Sequence, residues 1–77
     1  MDIYDYWGKY VKITDIDGQI FLGHVAYYTS ELDDPDGIAN ISLRQGDSAG
    51  ILIGFTAAEI ANIEIIDADV HEMAKVV

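Results

Sequence analysis

Val11 and Ile13 alternate with Lys12 and Thr14, the period of two that a strand with one buried face imposes on its sequence. Asp17-Gly18 follows, a strong hairpin signal because glycine accepts the left-handed backbone that a tight turn needs. The run from Gln19 to Thr29 is rich in β-branched and aromatic residues and reads as a long second strand, in whose interior Gly23 predicts a bulge or sharp bend. Thr29 to Gly37 contains the single proline and a Pro-Asp-Gly turn signature, so it is a loop. Ile38 to Leu43 is the third strand, with Ile41 and Leu43 on one face and Asn40 and Ser42 on the other. Arg44 to Gly50 is a turn segment, and Ile51 to Phe55 the fourth strand.

Thr56-Ala57-Ala58-Glu59 has capping-box form but room for only one turn, so a 3₁₀ link is predicted before the fifth strand, Ile60 to Ile66. Within that strand the alternation puts Ile63 and Ile65 on one face, and Ile60 and Ile66 on the other with Asn62 and Glu64. Apolar residues on both faces suit a strand with one side on the interior and the other on a neighbouring chain. At the N-terminus Ile3, Tyr6 and Trp7 stand at helical spacing with Asp2 placed to cap the turn and Asp5 near its positive end. In the tail, Asp67 to Val77, the residues Val70, Met73, Ala74 and Val77 fall at i, i+3, i+4 and i+7, which predicts a short helix that holds only by docking.

Composition narrows the picture. Seventy-seven residues make one domain, spanning 1–77 with its β core over about 8–66, at the low end of sizes that bury an adequate core. Fourteen acidic residues against four basic ones give a formal charge of −10. Such a charge repels polyphosphates and anionic membranes, favours basic or neutral partners, and keeps a small β protein soluble. Cysteine is absent, so neither disulfides nor thiolate metal sites exist. With no basic leader and no apolar run near the ~20 residues that span a bilayer, a soluble, cytoplasmic protein is expected.

Candidate chemistry is sparse. The acidic loop 31–37 invites a calcium reading, but the D-x-[DN]-x-[DN]-G…E pattern would need acids at Leu32 and Leu43, so neither metal nor cofactor is expected. His24 lies in the second strand and His71 in the tail, neither in a motif with Ser or Asp, so no catalytic residue is assigned and no enzyme is expected. Trp7, beside a strand start, is expected to plug the core rather than stack on a ligand.

Five short strands after a helical turn, with a bent second strand and a one-turn link before the last, describe an all-β fold: a small, strongly bent antiparallel barrel of SH3-like or Sm-like type. The residues resemble the Sm-like family more closely. Its first motif has the form G-x-x-V-x-V…G-x-x-F-x-G-x-L-x-x-Y, and Gly8, Val11, Ile13, Gly18, Phe21, Gly23, Val25 and Tyr28 fall in matching order. The resemblance implies a homo-oligomeric ring of about five to seven subunits in which the fourth strand of one pairs with the fifth of the next. The interface residues would then be Ile51, Ile53, Phe55, Ile60, Ile63 and Ile65. It also implies RNA binding, for which Tyr28, Asn40, Arg44 and Phe55 are the candidates. The chain departs from the family where an Ile-Arg-Gly step is replaced by Ile53-Gly54-Phe55, and where the loop after Tyr28 is longer.

Charge and the missing arginine oppose RNA, since phosphate contacts need Lys and Arg. Two readings stay open: an oligomeric protein-interaction scaffold presenting an apolar edge or an aromatic patch of Tyr27, Tyr28 and Phe55, and, as the alternative, an RNA-binding ring. Convergence of Lys9, Lys12 and Arg44 with Tyr28 or Asn40 would favour the second, and scatter the first.

Overall fold

The computed structural model describes residues 2–46 and 51–66; the expected tail helix lies outside them. Five antiparallel strands form one sheet: β1 (Tyr10–Asp15), β2 (Ile20–Thr29), β3 (Asn40–Arg44), β4 (Leu52–Thr56) and β5 (Ile60–Ile65), in the spatial order β4-β3-β2-β1-β5. A 3₁₀ turn at Ile3–Tyr6 precedes them, started by the Asp2 carboxylate, which accepts the Tyr4 N–H at 3.1 Å. A second 3₁₀ turn, Ala57–Glu59, links β4 to β5, and Glu59 reaches back to accept from both the backbone N–H (2.9 Å) and the hydroxyl (3.0 Å) of Thr56.

That link shapes the sheet. β4 and β5 lie on opposite margins although only Ala57–Glu59 separates them in the chain. Flat, the margins of five strands would stand roughly 19 Å apart at about 4.8 Å per spacing. The span from Thr56 to Ile60 cannot exceed about 14 Å. The sheet therefore curls until its margins approach at one corner, and the ring of Phe21 on β2 meets that of Phe55 on β4 at 5.3 Å although β3 lies between their strands. Among the described residues the margins do not pair with each other, so the five antiparallel strands expected form one curled, open sheet.

The concave face holds the core. Val11 and Ile13, Val25, Ile41 and Leu43 are fully buried, with Ile3, Phe55 and Ile60 nearly so, and no polar or charged side chain among the described residues is buried with them. The alternation in β1 and β3 places these residues as read from the sequence. In β5 it does not. The pairing steps from Asp15↔Ile60 to Thr14↔Asn62, leaving Ala61 as an extra residue. This bulge turns Ile60 inward, to the same face as Ile63, which pairs with Ile13, and Ile65, which pairs with Val11. The register shift in β2 likewise falls between Val25 and Tyr27, at Ala26, rather than at Gly23. Trp7 is a further correction: it is 49% exposed, held at the surface by its indole N–H, which donates to the Ala26 carbonyl at 3.3 Å.

The β1–β2 turn is built by Asp15, whose Oδ1 accepts the N–H groups of Asp17 (2.9 Å) and Gln19 (2.8 Å), while Gly18 takes the left-handed conformation at φ 83°. Gly23 is needed for a different reason. A Cβ there would collide with the Arg44 carbonyl oxygen and lie 3.0 Å from its carbon and 3.1 Å from Leu43 Cγ, whereas a Cβ on Gly54 would meet nothing within 4 Å. Gly23→Val should therefore cost roughly 1–3 kcal/mol as overpacking against backbone, a fall in Tm of about 4–8 °C per kcal/mol at this size. Gly54→Ala should leave the thermal midpoint within a few degrees of the parent. Calorimetry of the two variants checks the contrast, and equal midpoints would refute it.

Candidate functional site

Alternation along the strands sorts the expected site residues between the two faces. On the concave side Phe55 pairs with Ile41 and is only 5% exposed, its ring spent on Phe21, so it belongs to the core and to no surface patch. Ile60 is buried for the same reason, by the Ala61 bulge, and cannot present a face to a neighbour. Ile53 and Ile63 are partly buried at the margins, against the core, while Ile51 and Ile65 are 58% and 60% exposed.

Tyr27 and Tyr28, adjacent in the strand, face opposite sides of the sheet, and the bulge at Ala26 decides which of them turns inward. Tyr27 pairs with Ser42 on the convex face, and Tyr28 pairs with Ile41 and packs on the core. The expected patch of Tyr27, Tyr28 and Phe55 thus does not form. A different aromatic group does. Tyr28 meets Tyr4 edge to face at 5.1 Å and Trp7 at 6.2 Å, and Tyr4 meets Trp7 at 6.0 Å. Tyr4 and Trp7 are both about half exposed and stand three residues apart at the N-terminal 3₁₀ turn. That i, i+3 spacing is the sequence signal that points to them; the i, i+3 pair of Ile3 and Tyr6 instead faces the core.

Beside this group lies an open cleft of about 810 Å³ between the N-terminal turn, the β2–β3 loop and the β4–β5 link. Ile3, Tyr28, Ile38, Ala39, Ala57 and Ala58 contribute its apolar lining, and Asp2 and Glu31 are its charged residues. Among the described residues no lysine, arginine or histidine lines it.

The β2–β3 loop is ordered by one carboxylate. Asp34 Oδ2 accepts the N–H groups of Asp36 (2.9 Å) and Ile38 (3.0 Å), and its Oδ1 accepts from the Asn40 amide at 3.2 Å. The other Asn40 amide bond goes to the Ile38 carbonyl at 3.0 Å. Asn40 is therefore a loop strut, with its amide donors taken. Among the described residues no group of three or more His, Asp or Glu side chains is arranged to hold a metal ion.

Arg44 lies on the convex face. Pairing places Tyr10, His24, Arg44 and Leu52 in one row across four strands, with the rings of Tyr10 and His24 at 5.0 Å. Lys12, opposite Leu22 and Glu64, shares this face. Arg44 and Lys12 thus share a face with each other but not with Tyr28, which is on the concave side. Among the described residues no helix is long and apolar enough to cross a membrane.

Comparisons of the chain with protein-family models, with curated proteins and with solved structures found no match.

Asp34→Ala removes three hydrogen bonds at once and should destabilise the fold by about 1–3 kcal/mol. The amides of Asp36 and Ile38 should then exchange hydrogen faster than those of β1. Native-state exchange by NMR reads this directly, and unchanged protection at both amides would show that the loop is held by something else.

Proposed function

We propose that this chain is a non-catalytic, Sm-like domain that associates with copies of itself and serves as a protein-interaction scaffold. The observation that supports it best is the pair of open margins. Among the described residues β4 and β5 each pair on one side only, and Ile51, Leu52 and Ile65 stand exposed along them. Neither strand contains a lysine or a proline, and Glu64 is their one charged residue. Exposed apolar edges of this kind are aggregation hazards unless another strand covers them. Head-to-tail pairing of β4 with β5 of the next subunit satisfies both at once, and a heterologous pairing of this kind closes into a ring when its rotation allows. A ring of about five to seven subunits is what the family resemblance implies.

RNA binding is the second reading, and one observation favours it: Lys12, His24 and Arg44 share the convex face with the Tyr10 ring. Against it stands the overall charge of −10 per subunit, which assembly multiplies.

Light scattering or native mass spectrometry at micromolar concentration should find a single closed oligomer, and Ile65→Lys, at an exposed margin position, should shift it to monomer while the circular dichroism spectrum is kept. A clean monomer for the parent chain sinks the assembly. Salt-sensitive micromolar binding of a short uridine-rich RNA, lost in Arg44→Ala, would put the second reading first.

A further inference from the structure

The cleft beside the aromatic group has the chemistry of a receptor for one kind of ligand. Its two charged lining residues are both carboxylates, Asp2 and Glu31, and its aromatic wall, Tyr28, continues outward through Tyr4 and Trp7. Asp5 lies on the same 3₁₀ turn as Tyr4. We propose that this cleft binds a cationic side chain, an arginine in the first place, presented by a basic peptide segment of a partner protein.

Three features converge on arginine. A planar guanidinium pairs with carboxylates through directed hydrogen bonds and lies flat on aromatic rings, so one side chain satisfies both the acids and the π faces of the wall. The platform is pre-organised: the Trp7 indole is tied to the Ala26 carbonyl, Tyr28 is packed on the core, and Tyr4 touches both rings. Little ordering entropy is then left to lose on binding. Finally, among the described residues no lysine, arginine or histidine lines the cleft, and Lys12 and Arg44 lie on the opposite face of the sheet. A second copy of this chain is a poor occupant, because it brings a charge of −10 to an acidic site.

The inference deepens the scaffold reading by naming the class of partner, but the cleft lies within one subunit and its geometry does not need the ring. Trp7 is the only tryptophan and is half exposed, so its emission reports on the site without a label.

The test titrates an amidated hexa-arginine peptide into the full chain at low and at physiological salt, following Trp7 emission and heat, with light scattering on the same samples. Saturable binding with a shift in Trp7 emission is expected. Glu31→Gln should weaken it by about tenfold, the scale of one charge-assisted hydrogen bond. Tyr4→Leu should weaken it several-fold. Asp17→Asn, which removes the same charge from the distant β1–β2 turn, should leave it within about twofold, as expected for an exposed, screened charge. Equal weakening by Glu31→Gln and Asp17→Asn would overturn the proposal, since the peptide would then be reading net charge. Unmoved Trp7 emission at saturation would overturn it too. An oligomer that does not bind refutes the cleft and leaves assembly standing, and a monomer that binds does the reverse.

Discussion

Three residues, Ala57–Glu59, join strands that lie at opposite margins of the sheet, and the rest of the molecule follows from that short tether. A flat sheet cannot satisfy it. Curling creates a concave side deep enough for Val11, Ile13, Val25, Ile41 and Leu43 to leave solvent entirely, which a single unsupported sheet of this size would not do. The capping box between Thr56 and Glu59 fixes the tether's geometry, so a local hydrogen-bond motif and a global curvature are one device. The two bulges, at Ala26 and Ala61, bend their strands and increase the local twist, which suits a curled sheet.

Those bulges also mark the boundary of what could be read in the sequence. Where pairing is regular, alternation was a faithful guide: Val11 and Ile13 in β1, Ile41 and Leu43 in β3, the Asp17-Gly18 turn and the 3₁₀ link all stand where they were expected. Where one residue is added to a strand, every parity beyond it reverses. Ile60 faces inward, and Tyr28 rather than Tyr27 turns to the core, for this reason, and no local signal in Tyr-Tyr or in Ile-Ala-Asn announces it. Trp7 was misplaced by its size: the apolar area of an indole suggests a core, but its N–H needs an acceptor, and the nearest one is at the rim, on the carbonyl of the bulged Ala26. Asn40 was legible as a polar residue beside a loop; that Asp34 would claim it depended on how ten residues of loop fold back.

Charge is segregated along the same architectural lines. Among the described residues the acids sit in the turns and the β2–β3 loop, at the ends of strands, with Glu64 the exception, whereas Lys12 and Arg44 lie within strands on the convex face. A chain of large negative charge thereby keeps one sheet face on which Lys12 and Arg44 stand with a single acid, Glu64, and on which Ile20, Leu22 and Leu52 are exposed. Among the described residues, acidic repulsion between copies is concentrated at the turns and loops, and Glu64 is the one acid on β4 or β5.

The position of β5 has a kinetic meaning as well. β1 to β4 pair each with its sequence neighbour, so that meander can form through short loop closures, whereas β5 must return to the strand that came first. Until it does, the edge of β1 is bare and Val11 and Ile13 lack their cross-strand neighbours Ile65 and Ile63. Among the described strands, Ile60–Ile65 therefore makes the pairing with the largest loop-closure cost, and the edge it covers is the one that stays bare longest in a chain built from its N-terminus.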